Sequence, residues 1–597
     1  MGTILANLAL HKVSAIRVLQ FCLVILSIQW VDFSLSIDNA STAIMSAVVV
    51  TQSFLGSLYL KATNRVIGTL LGLLFSLLLI SLFVENPLTY LVVGTLWCMA
   101  TTAFGSLVKE ESSYIFLLAG YTFAFVGFSS LVTPDQAFHS ILFRATDVII
   151  GVIAMVVTSA LLFPNYGALN IDYKIAAIYR VLRQRPEMAQ KRSGDYAARL
   201  KMTFDHLSLL INNRITLRHE AGLNLAQANK LDHFLSVAIL SLFYLNAQRL
   251  EPVLAPGMRD KLSQLQGELQ AIKIEGLRGK VPRRLPKLLP HRYYLKALRR
   301  ALRTGIVMVA MLAVWYLSGW QGGQAMLTFS MIYIILFCNL PTPVAITIES
   351  LFGTLQGIVL AYVYEHWLFS SALVNNTPWL YFIIQIPLII YGGIFLTQGK
   401  WMVRGITLLT TFYYLLNPQN QIAFNYEWFI NGAAGALCGV LAAGLGLIVI
   451  LPENSALKLK SLLSQTLHDL QQATKQGAAS VQHSLLVFQD RIYKARTSRF
   501  FSQGNEFEFL THVATLYVYI EQLSCEPRES SILNALHQQL TNWERKKSFL
   551  FSAQEQIAFR YCVAKQALVD QRQYELSASL YTLLMRISAE SKGLRWA

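Results

Sequence analysis

Charged side chains at the edges of apolar segments are the residues that could do chemistry in this chain. Arg144 and Asp147 are three residues apart at the start of one segment, so on a helix they share a face and can pair. The pair is either a local salt bridge at the helix start, or a titrating Asp147 tuned by Arg144. Asp38, in the polar break after the first segment, is a further candidate for proton coupling. Such residues are usually paired or functional in a membrane, where a central charge costs about 2.5–3.5 kcal/mol on insertion scales.

Four other polar residues could contact an anionic substrate. Arg65 and Arg404 each stand at the foot of an apolar run. Their side chains either anchor the helix by snorkelling or bind a carboxylate, whose geometry the guanidinium fork matches. Thr69 and Gln356 lie inside apolar runs, and we expect them to line a polar path.

The spacings that common enzymes need are absent from the sequence. There is no Gly-x-x-x-x-Gly-Lys-Ser/Thr loop for nucleotide phosphates, no pair of histidines at zinc-helix spacing after His219-Glu220, and no Gly-x-Ser-x-Gly elbow. The six cysteines include no close pair, so neither a disulfide framework nor a zinc site is indicated. We predict that the protein is not an enzyme and that it needs no metal or cofactor.

Composition places the chain in the membrane class. Of 597 residues, 54% are hydrophobic and 14% charged, and the mean hydropathy is +0.44. Apolar runs of about 17 to 25 residues predict transmembrane helices. Six are predicted in each half, the eleventh being short: 16–34, 40–58, 66–83, 88–107, 113–131 and 143–163, then 303–319, 324–340, 349–369, 378–397, 403–417 and 428–451.

The two groups of apolar runs carry similar motifs. Gly68-Thr69-Leu70-Leu71-Gly72 returns as Gly353-Thr354-Leu355-Gln356-Gly357. Ala15-Ile16-Arg17 is matched by Ala301-Leu302-Arg303 at an offset of about 286, which indicates a duplicated unit. Glycines four apart let two helix backbones approach closely in lipid, so we assign Gly68, Gly72, Gly353 and Gly357 to helix packing. Taken singly, each motif could also reflect the high frequency of glycine in transmembrane helices.

Basic residues in short loops predict the orientation. With a cytoplasmic N-terminus, the inward loops hold Lys61, Arg65, Lys109, Lys400 and Arg404, and the outward loops are mostly acidic. Both polar regions then face the cytoplasm, and their apolar periodicity predicts helices. The predicted organisation has four parts: a first transmembrane unit (1–166), a helical cytoplasmic domain (167–302), a second transmembrane unit (303–452) and a C-terminal helical cytoplasmic domain (453–597).

The segment 278–303 holds ten basic residues and no acidic one. Nucleic-acid binding is one interpretation. A basic run beside the inner end of a transmembrane helix is instead typical of contact with anionic lipid headgroups, and we favour lipid over nucleic acid.

These motifs resemble those of a known protein family. Six helices, a cytoplasmic region and six more helices, with an Ala-x-Arg start and an Arg-x-x-Gly-Thr-x-x-Gly signature, resemble the fusaric acid resistance or aromatic acid exporter family. The signature residues here are Arg65, Gly68, Thr69 and Gly72, whereas the second copy has Ser350 in place of the arginine. The resemblance implies an inner-membrane efflux protein of Gram-negative bacteria that exports aromatic carboxylates with the proton gradient, often beside a periplasmic adaptor subunit.

We therefore predict an all-α polytopic membrane protein with two parallel repeats of about six transmembrane helices, each followed by a helical cytoplasmic domain. Its predicted function is proton-coupled efflux of an organic anion. An anion channel and a non-transporting scaffold or sensor are the alternatives. Homodimer formation and the adaptor partner stay open.

Overall fold

The computed structural model describes residues 2–35, 40–51, 55–108, 110–162, 178, 202–208, 210–211, 225–250, 262–268, 294–338, 343–369, 378–398, 401–418, 425–452, 455–476, 478–496, 505–525, 530–546, 548–550, 552–567 and 571–593. Over these residues all regular secondary structure is helical. The helices of the first apolar group are α1 (Gly2–Leu35), α2 (Ala40–Val50), α3 (Leu55–Phe83), α4 (Pro87–Leu107), α5 (Glu110–Val132) and α6 (Ala137–Leu162), with a 3-10 turn at Pro134–Gln136.

The remaining helices follow the same order as the apolar and polar parts of the sequence. They are α7 (Leu225–Leu250), α8 (Tyr294–Ser318), α9 (Gly323–Phe337), α10 (Pro343–Val363), α11 (Pro378–Thr397), α12 (Met402–Leu416), α13 (Tyr426–Val449), α14 (Ser455–Gln476), α15 (Ala478–Arg496), α16 (Asn505–Cys525), α17 (Ser530–Lys546), α18 (Ala553–Ala567) and α19 (Gln571–Gly593). A single π-helical turn, Tyr364–Leu368, follows α10.

Within the described residues, nine helices are long and apolar enough to cross a membrane, and three apolar helices, α2, α9 and α12, are shorter. The prediction of an all-α, multi-pass membrane protein is confirmed. The eleventh predicted span corresponds to α12, which has 15 residues. At 1.5 Å per residue it is about 22 Å long, less than the hydrocarbon core of about 30 Å.

The predicted boundary between the second and third spans is wrong. The second span was expected to run over 40–58, but α2 ends at Val50 and α3 already begins at Leu55. Lys61 and Arg65 therefore lie inside α3 rather than in a loop. Both side chains form hydrogen bonds within the protein. The Lys61 ammonium donates to the Val49 carbonyl at 2.5 Å. A loop-based count of basic residues loses three of its five inward charges, because Arg404 likewise lies inside a helix, α12.

Residues 1–166 and 292–452 form one compact unit, here called the membrane unit. In its first half α3 packs against α5 and α6, and in its second half α10 packs against α12 and α13. The halves interdigitate, because α1 contacts α11, α2 contacts α12, α4 contacts α8 and α5 contacts α9.

The glycine motifs lie at the closest of these helix contacts. Gly68 and Gly72 on α3 face α5, and Gly353 and Gly357 on α10 face α12. A Cβ atom added at any of them would overlap the facing backbone, so only glycine allows this approach. The distances from such a Cβ to a facing carbonyl oxygen are 2.6 Å (Gly68 to Ile115), 2.7 Å (Gly72 to Ala119), 2.5 Å (Gly353 to Arg404) and 2.8 Å (Gly357 to Leu408).

Residues 167–291 and 453–597 form a second compact unit, here called the polar unit. Both polar stretches of the sequence contribute to one hydrophobic core, in which α7 packs against α15 and α16. The Tyr244 hydroxyl on α7 hydrogen-bonds the Glu521 carboxylate on α16. Burial raises the pKa of Tyr517, another tyrosine of this core.

Part of the basic segment is structural rather than lipid-facing. Arg303 on α8 is buried, and its guanidinium donates to the carbonyls of Ile450, at 2.8 Å, and Leu451. A cation at the end of α13 is favoured by the helix dipole. Arg300 is also buried, so these two residues do not serve the predicted lipid contact. Residues 278–293 lie outside the described residues.

Candidate functional site

The side chain of Arg65 lies inside the membrane unit, where only 3% of the residue is exposed. Its Nη1 donates to the hydroxyl oxygens of Tyr114, at 2.9 Å, and Tyr121, at 3.0 Å. Its Nη2 donates to Ser46 Oγ at 3.0 Å. The Nε atom is buried and finds no hydrogen-bond partner among the described residues. Three neutral hydroxyls therefore hold this cation.

The helix packing explains why these residues meet. Arg65 precedes Gly68 by one turn on α3, at the face that approaches α5. Tyr114 and Tyr121 are seven residues apart on α5, which is two turns of a helix, so both hydroxyls reach the same side. The third hydroxyl, that of Ser46, comes from α2.

The charge around Arg65 is positive. Within the described part of the chain no carboxylate forms an ion pair with it, and its strongest interactions are with Tyr121 and Tyr114. A second arginine, Arg144 on α6, interacts electrostatically with Tyr121 and Arg65. Arg144 Nη1 donates to Thr42 Oγ1 at 2.5 Å. The buried Arg65 guanidinium, with which no described carboxylate pairs, attracts an anion, because an isolated charge in a low-dielectric interior is costly.

The Arg144 guanidinium also covers an aromatic face. Its Cζ lies 3.9 Å from the centroid of the Phe125 ring on α5, a geometry that a cation–π interaction stabilises. The ring and the Thr42 hydroxyl together fix its orientation.

Asp147, which the sequence analysis paired with Arg144, is the third charged residue of this cluster. It is 1% exposed, and its Oδ1 has no hydrogen-bond partner among the described residues. It interacts electrostatically with Arg144 and with Asp32 on α1. Of the two alternatives for this pair, the local salt bridge is not seen: in the part of the chain described, no ion pair joins Asp147 to Arg144, whose Nη1 donates to Thr42 Oγ1. Asp38 lies outside the described residues.

The other predicted path residues are placed elsewhere. Arg404 forms an ion pair with Glu349 at 2.8 Å, so its charge is neutralised. Gln356 donates from Nε2 to the hydroxyl of Tyr391 on α11 at 3.3 Å. Thr69 is buried on α3. The described hydrogen bonds connect none of the three to Arg65, whereas Arg144 interacts electrostatically with both Arg65 and Asp147.

Several residues of this cluster were missed by the sequence analysis. Tyr114, Tyr121, Ser46 and Thr42 supply the hydroxyls that hold the two arginines. The seven-residue spacing of the tyrosines on one predicted span was a usable signal. The serine and threonine had no signal, because isolated hydroxyls are common in transmembrane helices.

Comparison with known proteins identifies the family. The family model of the fusaric acid resistance protein family matches residues 29–202 and 174–495. The chain belongs to the fusaric acid resistance protein family. Both arginines of the cluster lie within the first matched segment. No solved structure matches the chain.

Curated relatives in this family are named as efflux pump subunits. The p-hydroxybenzoic acid efflux pump subunit AaeB of Pectobacterium atrosepticum is 22% identical over 504 residues, which cover 73% of this chain and 74% of the relative. The protein of the same name from Pectobacterium carotovorum is 21% identical over 500 residues, with 73% and 74% coverage. The one from Yersinia pestis is 27% identical over 185 residues, 28% of each chain.

Proposed function

We propose that this protein is an inner-membrane transporter that exports aromatic carboxylic acids or similar organic anions from the cytoplasm, with proton coupling. The observation that carries the proposal is Arg65: a buried guanidinium held by three neutral hydroxyls, with no carboxylate paired to it in the described structure. The printed names of the curated relatives support p-hydroxybenzoate as the first substrate to test.

The chemistry of the cluster fits an aromatic acid. The substrate carboxylate accepts hydrogen bonds from the Arg65 guanidinium, whose Nε lacks a partner and whose fork suits a planar anion. The Tyr114 and Tyr121 hydroxyls fix the guanidinium from the α5 side. The Phe125 ring of α5, whose centroid lies 3.9 Å from Arg144 Cζ, offers an apolar face to the substrate ring.

Asp147 supplies the proton-binding group. One of its oxygens is buried without a donor, and Arg144 is its close cationic neighbour. Because Asp147 interacts with Arg144, binding or release of its proton changes the charge beside the two arginines and so changes the binding of the substrate anion. The substrate and the proton bind in alternate steps of the cycle, as export driven by inward proton movement requires.

We also propose a membrane topology, a lipid contact and a partner for this protein. Both termini and the polar unit face the cytoplasm, and the basic residues at 278–299 contact anionic lipid. A periplasmic adaptor protein is a separate chain of the working pump, and the name "subunit" in the relatives is consistent with such a partner.

Transport by the purified full-length protein in liposomes tests the proposal. With the membrane potential clamped at zero, an imposed pH gradient should drive accumulation of labelled p-hydroxybenzoate above its equilibrium level. Flux that only follows the anion gradient, without proton movement, would instead identify a channel. Absence of any flux would contradict transport by this chain alone.

A further inference from the structure

The end of α10 departs from regular α-helix at a single π-helical turn, Tyr364–Leu368. The Phe369 amide donates to the Tyr364 carbonyl at 2.8 Å, which closes the wider turn. Such turns are rare, and they are frequent at functional sites because the extra residue redirects a side chain. Here the turn carries the acidic residue Glu365.

Glu365 is buried in the membrane unit. It is 9% exposed, and its Oε2 is buried without a hydrogen-bond partner among the described residues. A carboxylate in such a place is expensive to keep ionised unless a proton or a cation neutralises it.

In the described part of the chain, no lysine or arginine interacts with Glu365. On its own turn are Tyr364 and His366, whose ring stacks on Tyr362 at 5.3 Å between centroids. From α11, Tyr381 interacts electrostatically with Glu365. Tyr413 of α12 interacts electrostatically with Tyr381 and Tyr364, and also with Cys22 of α1.

A row of polar groups leads from Glu365 toward the first half of the membrane unit. Gln385 Nε2 donates to the backbone carbonyl of Tyr381, one turn earlier on α11, at 3.2 Å. Gln385 Oε1 accepts from the Tyr413 hydroxyl at 3.0 Å and from Gln29 Nε2 of α1 at 2.8 Å. Both glutamines are fully buried.

The row continues on α1. Asp32 follows Gln29 by three residues, so the two lie on one face of the helix. Asp32 interacts electrostatically with Asp147. Glu365 of the second half is thereby linked to the proton-binding carboxylate proposed for the first half.

We propose that Glu365 is a second proton-binding carboxylate of the transport cycle, connected to Asp147 through Tyr381, Gln385, Gln29 and Asp32. The inference rests on the proposed function, because it adds a proton site to proton-coupled export. The proton comes from water, converts the Glu365 carboxylate into a neutral carboxyl group, and returns to water later in the cycle. No bond other than O–H forms or breaks.

Two assays on Glu365→Gln in liposomes test this inference. The first is accumulation of labelled p-hydroxybenzoate driven by a pH gradient, and the second is exchange of labelled for unlabelled p-hydroxybenzoate at equal pH. We expect gradient-driven accumulation to fall at least about tenfold, while exchange, which needs no net proton movement, stays within about twofold of the wild type. Infrared difference spectra should lose a titrating carboxyl band.

Matched variants keep the test decisive. Glu427→Gln removes an exposed carboxylate at the start of α13 and should leave both assays unchanged. If Glu365→Gln does not fold, Glu365→Asp, which keeps a carboxyl group, should retain accumulation, and Tyr381→Phe should slow it without affecting exchange. If the wild type accumulates p-hydroxybenzoate and Glu365→Gln accumulates it equally well, this inference is overturned while the proposed function stands. If Glu365→Gln does not fold, unchanged accumulation by Tyr381→Phe has the same consequence. A wild-type protein that moves no p-hydroxybenzoate contradicts the proposed function itself.

Discussion

The two halves of the membrane unit share their packing and differ in their charge. The contact of α3 with α5 through Gly68 and Gly72 has its counterpart in the contact of α10 with α12 through Gly353 and Gly357. The contacts between halves are matched in the same way, since α1 with α11 corresponds to α8 with α4. These matched contacts support our proposal that the halves are repeats.

The charged residues do not follow this correspondence. Arg65 is matched by Ser350, whose Oγ donates to the Ile346 carbonyl of its own helix. Gly151 packs on α2 as Gly439 packs on α9, so these two glycines occupy matched positions. At the same offset along the chain, Arg144 is matched by Gly432 and Asp147 by Gly435.

The equivalent region of the second half is neutral. There the Tyr333 hydroxyl lies among the hydroxyls of Thr354, Thr410 and Thr411. A repeated scaffold therefore need not carry repeated sites, and the anion site that we propose uses residues of the first half.

The largest expected effect comes from the arginine that only the first half has. Arg65→Gln should weaken p-hydroxybenzoate binding by about 30-fold or more, because losing one partner of a buried charge interaction costs about 2 kcal/mol or more. Ser350→Ala, at the matched position, should change binding by less than about twofold. Equilibrium binding to the purified variants measures both, and equal losses at the two positions would remove the distinction between the halves.

Asp147→Asn should uncouple transport from the proton gradient. Because asparagine does not titrate, accumulation driven by a pH gradient should fall about tenfold or more and lose its pH dependence, while exchange at equal pH continues. The control is Asp135→Asn, an exposed residue of the 3-10 turn that precedes α6. Accumulation that kept the wild-type pH profile in Asp147→Asn would exclude Asp147 from coupling.

Packing variants should affect the two halves alike. Gly151→Ala and Gly439→Ala each bring a Cβ against the facing backbone, the Ala43 carbonyl on α2 and the Met326 carbonyl on α9, and each should lower the free energy of unfolding by about 1–3 kcal/mol. Gly393→Ala, where the nearest atom would be 3.4 Å away, should have little effect. Denaturation in mixed detergent micelles compares them, and a large loss in one half alone would contradict shared packing.

Among these variants the smallest effect concerns the hydroxyls around the arginine. Tyr121→Phe removes one acceptor from the Arg65 guanidinium and should weaken binding of the acid about fivefold, for a loss of about 1 kcal/mol. Thr410→Val tests the neutral region of the second half and should change binding by less than about twofold. A larger effect of Thr410→Val would indicate that the substrate binds in the second half.

Sequence patterns predicted the helices better than the site. Apolar runs and glycine spacing predicted the membrane class, because both signals are local in the chain. The start of α3 was misplaced because Lys61 and Arg65 look like loop residues until Val49, Ser46 and the tyrosines of α5 are packed around them.

The site depended on contacts between residues far apart in sequence. Arg65 and Arg404 looked equivalent, since both stand at the foot of an apolar run. Only the structure shows that Glu349 pairs with Arg404, whereas hydroxyls from α2 and α5 hold Arg65. Glu365 lay unnoticed inside a predicted span, because the π-helical turn that directs it has no recognisable sequence pattern.

Binding of p-hydroxybenzoate and of its methyl ester to the wild type and to Arg65→Gln tests the central claim most directly. The ester keeps the ring and the phenol but lacks the negative charge. We predict that the wild type prefers the acid by about 30-fold or more and that Arg65→Gln binds the two ligands about equally. An undiminished preference for the acid in Arg65→Gln would contradict the assignment of the anion site to Arg65.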